Sequence, residues 1–439
     1  MKRITHSILK SGQTLKLNLA NRFANSHGYN AASVSSLLDE NETLVFFGRE
    51  QHYVGQDNSK TKALNYYVLR NRNWEAMNSD LADIYLKEGK LRFENVKRKE
   101  ELNLEAIKSF NQRIWFDLSK QSNAIEGVFA DYNLTPVEFE KKLGEMIHIT
   151  SPSCRVFDYN AYFCELRKIQ EIIQQQEEGK RVVRGRKKEH PISKELIRHY
   201  IAFKYAYKCA RMFSITNSIK NMRDVEKLLD MHPEIAKEFE GLDKGTICKK
   251  IAFTPANVLE MTNNFIALLT GQDYVPYRRE QAYVTLYGDR DFAGWVPVSE
   301  NRVLGQLESW AKWVVNEKCL HPIEKAAIAQ AEFIRIHPYG DGNGRTSRII
   351  ANFILMVNDL PTVQVRGYEE DENDSSKVQP MGYFCALNKA IREHDANDLI
   401  ELFYRGMWES IECVKDSLDV IERETEIEYS IEQKAGEGK

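Results

Sequence analysis

The chain has 439 residues, of which 42% are hydrophobic and 28% are charged. This composition excludes the disordered and low-complexity classes, and the length predicts roughly two to three domains, each with its own core. The 61 basic and 64 acidic side chains give a formal net charge of -3, which argues against a general nucleic-acid-binding role. Only 23 Gly and 11 Pro occur, and so few turn-forming residues favour helices over a many-stranded β-sandwich.

The cysteine and hydropathy patterns predict a soluble, cytoplasmic chain. The seven cysteines are odd in number and widely spaced, and they include no CxxC pair, so neither a disulfide framework nor a zinc site is indicated. The first residues contain no apolar segment of signal-peptide length. The longest apolar run, residues 349–357, is about half a membrane span and is interrupted by Asn352. We therefore expect no contact with a membrane or with nucleic acid.

Residues 1–95 are predicted to form an N-terminal region of mixed α/β structure and unknown role. The strand-like segment in this region is TLVFF at residues 43–47, which combines β-branched and aromatic side chains and is followed by a glycine. No motif with a recognisable chemistry occurs there.

Residues 96–190 are predicted to be a helical region. Apolar residues with helical spacing begin at Leu102 and continue to Gly127, which is typical of a helix C-terminus. Thr135 is followed directly by proline and, three positions on, by Glu138. This is the pattern of an N-cap with a capping box, so a second helix should begin there.

The remainder of the chain is predicted to be helical apart from one hairpin. The segment 180–188, six of whose nine residues are basic, contains no aromatic residue and is predicted to be a solvated loop. Residues 277–298 combine β-branched and aromatic residues around a Gly-Asp pair, which predicts a β-hairpin with a long loop. Helical spacing predicts helices at residues 193–212, 255–269, 299–317, 322–336, 345–358, 381–392 and 397 to about 424.

The loop between the helices at 322–336 and 345–358 carries the residues with a chemical role. Three glycines within five positions allow backbone N-H groups to converge, and the loop leads directly into a helix N-terminus, which favours a bound anion. Arg345 and Arg348 are three residues apart, so their guanidinium groups share one helix face and can each bind a phosphate. The loop therefore predicts a polyphosphate site.

Asp341 and His337 add a metal ligand and a base to this loop. A carboxylate among phosphate-binding groups is explained by Mg2+ between Asp341 and the phosphate oxygens. The ordinary pKa of a histidine suits His337 for the role of general base. A Walker A loop is excluded because Arg345 stands where lysine is needed, and a dinucleotide-binding loop is excluded because a helix precedes the glycines.

This segment resembles the signature HPFxDGNGRxxR of Fic-domain proteins. Tyr339 in place of the family's Phe is the one difference, and its hydroxyl needs a partner. The resemblance extends over about 250–410, where the hairpin is similar to the family's flap. The matching signature residues are His337, Pro338, Asp341, Gly342, Asn343, Gly344, Arg345 and Arg348.

The resemblance implies a Fic-type helical bundle with a β-hairpin flap, placed in a catalytic domain at residues 191–415. Residues 416–439 would be a helical extension with a polar tail. The implied reaction is transfer of AMP from ATP to a Ser, Thr or Tyr hydroxyl of a target protein, the chain itself included. An extended target segment would pair with the free edge of the flap.

The resemblance also implies a role for each residue of the site. His337 would be the base, Asp341 would bind Mg2+, and Arg345 and Arg348 would bind the β- and γ-phosphates. The α-phosphate would be bound by Gly342, Asn343 and Gly344. The adenine would lie against a downstream helix through Tyr383 and Leu387.

A second family motif, [S/T]xxxE[G/N], matches Ser122, Glu126 and Gly127 and implies an inhibitory helix. Ser122 and Glu126 are four residues apart and share a helix face. The helix dipole disfavours a carboxylate at a helix C-terminus, so Glu126 needs a cation, for which Arg348 is the candidate. Such a pair would remove the γ-phosphate contact and leave ATP misaligned.

Two alternatives remain open from the sequence. The same fold could transfer another phosphate-containing group, or the chain could be a catalytically silent, nucleotide-sensing binding module in which Glu126 never leaves Arg348. The target protein, the modified residue, the release of inhibition, removal of AMP and formation of a homo-oligomer are also left open.

Overall fold

Helices make up most of the part of the chain that the computed structural model describes. This part comprises residues 42–47, 64–69, 72–98, 102–126, 135–136, 138–139, 159–180, 193–216, 222–231, 241, 243, 245–247, 252–284, 294–364 and 381–437. The strands are β1 (Glu42–Phe47) and β2 (Leu64–Leu69), and the helices are α1 (Trp74–Arg98), α2 (Leu102–Ile125), α3 (Tyr159–Lys180), α4 (Lys194–Thr216), α5 (Met222–Met231), α6 (Pro255–Thr270), α7 (Val303–Asn316), α8 (Pro322–Ile336), α9 (Asn343–Val357), α10 (Met381–Arg392) and α11 (Asn397–Glu437). The predicted mainly α fold class is confirmed. Within these ranges, no helix has the combination of length and apolar character needed to cross a bilayer.

The N-terminal region contains one antiparallel pair of strands. Their register runs from Glu42 opposite Leu69 to Phe47 opposite Leu64. The strand predicted at 43–47 is therefore confirmed. Its partner β2 was not predicted, because a short aromatic run is compatible with either a strand or a buried helix segment.

Helix α1 attaches the N-terminal region to the rest of the molecule. Trp74 stacks on His321 with the ring centroids 3.9 Å apart. Lys415 Nζ of α11 lies 2.6 Å from Asp80 Oδ2 of α1. The boundary predicted at residue 95 falls inside this helix, and the one predicted at residue 415 falls inside α11. The division into domains stays a prediction.

Local capping signals account for where several helices begin and end. Helix α2 ends at Ile125, and Glu126 forms a turn directly after it. The end of this helix was predicted at Gly127, which lies outside the described residues. At the predicted capping box, the Thr135 N-H donates to Glu138 Oε2 at 2.9 Å and the Glu138 N-H donates to Thr135 Oγ1 at 3.3 Å. Each side chain thus satisfies a backbone donor that the first helical turn leaves free.

Helix α8 is the central element of the fold. It packs against α7, α9, α10 and α11, and all its residues from Ile323 to Ile334 are buried. Four alanines among them permit close approach of these neighbours, and the buried Trp310 donates its indole N-H to the Ala329 carbonyl at 3.1 Å. A helix buried on every side is held firmly in place, so its C-terminal end, where His337 follows, is well positioned.

The predicted hairpin at 277–298 is represented by one antiparallel bridge, Val284 with Trp295. Residues 285–293, which include most of the predicted long loop, lie outside the described residues. Closer to the base of the hairpin, a side-chain hydrogen bond connects its two sides in place of backbone hydrogen bonds. Gln281 Nε2 donates to the Pro297 carbonyl at 3.2 Å, and Pro297 has no N-H with which to continue a ladder.

Two helix ends differ from the predicted ones. Helix α9 begins at Asn343 and not at Arg345, because Gly342 occupies the N-cap position in the left-handed conformation, with φ 79°. Helix α11 continues to Glu437, well beyond the predicted end near 424, because neither Gly nor Pro occurs between residues 407 and 435.

The buried Asn352 should contribute more to stability than an apolar side chain in its place. Its Oδ1 accepts from the Val363 N-H at 2.7 Å, and its Nδ2 donates to the Val363 carbonyl at 3.1 Å. Asn352→Leu would leave both backbone groups unpaired in the core. We expect it to lower the free energy of unfolding by about 2–4 kcal/mol, measured by denaturant titration. The exposed Asn358→Leu is the control, and an equal loss in both variants would contradict this role.

Candidate active site

His337 follows the last residue of α8 and has left-handed backbone angles, φ 52° and ψ 61°. Its N-H donates to the Phe333 carbonyl at 2.9 Å, so it forms the C-cap of the helix. Burial lowers the pKa of the imidazole to about 4, and the cation of Arg278 acts in the same direction. The Ile334 carbonyl lies near enough to raise the pKa in part, yet the buried Nδ1 makes no hydrogen bond of standard geometry with any described residue. The imidazole is therefore neutral at physiological pH.

Tyr339 and Asn343 give the loop after His337 its shape. The Asn343 side chain accepts from the Tyr339 N-H at 3.0 Å and donates to the Tyr339 carbonyl at 2.8 Å. The buried Tyr339 hydroxyl donates to Asn263 Oδ1 at 2.5 Å. The partner that this hydroxyl needs thus comes from α6. The side-chain amide of Asn343 is used in these two hydrogen bonds. Its backbone N-H is therefore the group that is available to bind an anion.

The two glycines before and within the first turn of α9 are placed where a side chain would not fit. A Cβ atom on Gly342 would overlap the Cδ1 atom of Ile266, and one on Gly344 would overlap Oε1 of Glu126. The first-turn N-H groups of a helix have no acceptor within the helix. The Glu126 carboxylate therefore lies directly against the segment that is best suited to bind phosphate.

Arg348 is buried and makes three hydrogen bonds to the end of α2. Its Nε donates to Ser122 Oγ, and one of its terminal nitrogens donates both to the Ser122 carbonyl and to Glu126 Oε1, each at 2.8 Å. Burial alone would lower the pKa of Arg348, but Glu126 and Tyr383 raise it above its ordinary value. The guanidinium therefore stays charged, as an ion pair requires.

Asp341 lies on the solvent side of the loop, whereas the side chain of its neighbour Arg345 is only 12% exposed. Asp341 Oδ1 accepts from the Gly342 N-H at 2.6 Å, and Oδ2 has a longer contact of 3.4 Å with Arg345. The Asp341 side chain is 83% exposed. The described residues contain no cluster of three metal-ligating side chains. One exposed carboxylate beside a phosphate site fits Mg2+, which is commonly bound by one or two carboxylates together with substrate phosphates.

The predicted base, glycine loop, γ-phosphate ligand and adenine-pocket residues border one cleft. Its mouth is open, and the cavity volume is about 100 Å³, which is below the range of about 300–1,000 Å³ that small-molecule sites have. Tyr383 and Leu387 form part of its buried wall, and the Tyr383 hydroxyl accepts from Gln330 Nε2 at 2.5 Å. The lining residues are Glu126, Val284, Trp295, Ile334, His337, Gly344, Arg348, Tyr383, Phe384 and Leu387.

The sequence did not identify three residues that organise this site. Asn263 holds the Tyr339 hydroxyl, Gln330 holds the Tyr383 hydroxyl, and Arg278 donates to the His337 carbonyl at 2.6 Å. Asn263 and Gln330 lie inside helices, where a polar residue gives no local signal of its role. Arg278 adjoins a second arginine, and only the position relative to His337 distinguishes them.

Comparison with known proteins supports the interpretation of this cleft. Residues 223–355 match the family model for the Fic/DOC family. The "Protein adenylyltransferase Fic" sequences of Drosophila melanogaster and Drosophila virilis are each 30% identical to this chain over 145 residues, which are 31% of this chain and 27% of the relative. The chain thus matches about a quarter of the length of these curated relatives.

Solved structures of Fic proteins are also similar, at low identity. A Fic-domain-containing signaling protein from Bacteroides thetaiotaomicron is 15% identical, with a TM-score of 0.41 over 78% of this chain and 95% of that chain. Fic-1 from C. elegans is 16% identical, with a TM-score of 0.38 over 80% of this chain and 76% of that chain. The family match covers α5 to α9, with His337, the glycine loop and both arginines, so this part of the chain is similar to domains of the Fic/DOC family.

Proposed function

We propose that this chain is a protein adenylyltransferase that transfers AMP from ATP to a Ser, Thr or Tyr hydroxyl of a protein and is held inactive by Glu126. The observation that carries the proposal is the convergence of His337, Gly344 and Arg348 on one cleft. These side chains and backbone groups are a base, an anion-binding helix start and a phosphate ligand. The name of the Drosophila relatives supports the same activity.

The triphosphate would lie along the start of α9. The N-H groups of Asn343 and Gly344 would bind the α-phosphate, and Arg345 and Arg348 would bind the β- and γ-phosphates. Asp341 would hold Mg2+, which compensates phosphate charge when it is bound. Catalysis of this kind depends on positioning and charge compensation, and little covalent chemistry is left to the protein.

His337 would act on the attacking hydroxyl. The hydroxyl oxygen forms a bond to the α-phosphorus, the bond from that phosphorus to the bridging oxygen breaks, pyrophosphate leaves, and the hydroxyl proton passes to His337. A general base must be neutral to accept a proton, and the lowered pKa keeps the imidazole neutral. A bound triphosphate would add negative charge nearby and raise this pKa toward the neutral range, where a base is more effective.

Glu126 would inhibit the enzyme in two ways. It pairs with Arg348, so the γ-phosphate lacks this ligand, and its carboxylate lies against Gly344, so it repels a phosphate from the helix start. Arg348 is 9% exposed but the Glu126 side chain is 37% exposed, so the pair is weaker than a fully buried one. A competing anion can therefore displace Glu126.

A nucleotide-sensing module without catalysis is the second candidate. The three hydrogen bonds from Arg348 to the end of α2 favour it, because they could keep the cleft closed to productive binding. Incorporation of label from α-32P-ATP distinguishes the two. Label in a Glu126 variant indicates an inhibited enzyme, and binding of ATP without label in any variant indicates the module.

Glu126→Gly is expected to raise AMP transfer by about tenfold to a hundredfold, which corresponds to about 1.4–2.8 kcal/mol of restored transition-state binding. Glycine is tolerated at a helix end, so the fold should be retained. Mass spectrometry of the protein incubated with ATP and Mg2+ measures the transfer. Glu126→Gln, which removes the charge and keeps the shape, should also raise it. Unchanged transfer in both variants, with ATP bound, would contradict the inhibition.

Ser122→Ala is expected to relieve the inhibition less than Glu126→Gly does. It removes the acceptor of Arg348 Nε but leaves the Ser122 carbonyl and Glu126 in place, so a rise of about threefold is expected from the loss of one hydrogen bond. The same assay measures it. Ser119→Ala, the same change earlier on the helix, is the matched control, and an equal rise in both would mean that only helix stability matters.

His337→Ala, made in the Glu126→Gly protein, is expected to lower transfer by about a hundredfold or more, since general base catalysis is typically of this size. ATP affinity, measured by calorimetry, should change little, because the imidazole acts on the hydroxyl and not on the nucleotide. A large loss of ATP affinity would show that His337 binds phosphate, and the proposed mechanism would then be wrong.

A further inference from the structure

Arg278 joins the base of the flap to the residues around His337. Its Nε donates to the His337 carbonyl at 2.6 Å, and a terminal nitrogen donates to the Ile336 carbonyl at 3.2 Å and to the Val298 carbonyl. Its backbone N-H donates to the Pro338 carbonyl at 2.9 Å. Arg278 therefore binds the carbonyls of three consecutive residues, 336–338, at the end of α8. It also binds the Val298 carbonyl on the opposite side of the flap.

The end of α8 needs such a partner for two reasons. The last carbonyls of a helix have no donor within the helix and carry partial negative charge, which a cation stabilises. His337 also has the left-handed backbone conformation, which is unfavourable for a residue with a Cβ atom and persists only where the surroundings impose it. Arg278 binds the carbonyl of this same residue, so it acts directly on the strained peptide.

The planar guanidinium is required for this arrangement. Its donors point in fixed directions, and they reach the carbonyls of His337, Ile336 and Val298, while the remaining terminal nitrogen donates to the Glu280 carbonyl at 2.9 Å. A lysine in this position would keep the charge but could not reach all these acceptors. Geometry and charge at Arg278 can therefore be tested separately.

The charge of Arg278 also acts on the imidazole. Burial is the main cause of the lowered pKa of His337, Arg278 lowers it further, and Glu126 and Asp341 raise it. Among the charged groups that face the imidazole, Arg278 is thus the cation that favours the neutral form. Removal of this charge would raise the pKa of His337.

We propose that Arg278 is a positioning residue for the transfer reaction, which imposes on His337 the backbone conformation from which its imidazole faces the cleft and couples that conformation to the base of the flap. This inference rests on the proposed adenylyltransferase function. Arg278 touches no reacting atom, and it acts through His337.

The kinetic test uses the Glu126→Gly protein as the parent. Arg278→Gln should lower kcat for AMP transfer by about tenfold or more while the KM for ATP and the calorimetric ATP affinity stay within about twofold. The kcat of Arg278→Lys should lie between that of the parent and that of Arg278→Gln. The exposed neighbour gives the matched control, because Arg279→Gln removes the same charge one residue away and should leave kcat unchanged.

The second measurement does not depend on activity. The pKa of His337 is measured by NMR titration of histidine-labelled protein, with the signal assigned by its absence in His337→Ala. Arg278→Gln should raise this pKa, whereas Arg278→Lys and Arg279→Gln should leave it near the parent value. A residue that only stabilised the fold would lower the melting temperature without this selective shift.

The outcomes separate this inference from the proposed function. If the Glu126→Gly parent transfers no AMP, the proposed function fails, and the titration still decides whether Arg278 acts on His337. If the parent is active, an unchanged kcat and His337 pKa in Arg278→Gln would overturn the inference. A parallel loss of ATP affinity in both Arg278 variants would overturn it as well, because Arg278 would then be part of the general structure.

Discussion

The buried cation of Arg348 is the constraint on which the site is organised. A guanidinium removed from water needs acceptors, and in this structure the end of α2 supplies them through the Ser122 hydroxyl and carbonyl and the Glu126 carboxylate. The same requirement could be met by a phosphate. Under the proposed function, the end of α2 and a triphosphate would therefore compete for the same cation, and the helix end would act as the inhibitor.

The parts around this cation are held by side chains that bind backbone groups. Asn343 closes the loop onto Tyr339, Asn263 receives the Tyr339 hydroxyl, and Arg278 binds the carbonyl of His337. Each bond fixes a backbone conformation near the cleft, so the loop and His337 are held in place before any ligand binds. The fully buried α8 provides the rigid support behind them.

Local features of the sequence were predicted well because their causes are local. The bounds of α8 follow from its capping residues, and those of α10 agree with the spacing of its apolar side chains. A helical spacing does not define which residue at the edge of an apolar face is buried. In α7, Leu304 has helical spacing to the buried Leu307 but is itself 53% exposed, whereas Val303 beside it is buried.

The sequence by itself determined the mainly α class and predicted the glycine-rich loop with His337 and two arginines, because these depend on residue type and short spacing. The candidate pair of Glu126 with Arg348 followed instead from the resemblance to a family motif. Only the tertiary structure decided that the Ser122 carbonyl is a partner of Arg348, that the Asn343 side chain is committed to its loop, and that the Arg278 side chain binds the end of α8. These contacts join distant segments or depend on the direction of a side chain. Neither can be read from composition or periodicity, since both arise only when the helices pack.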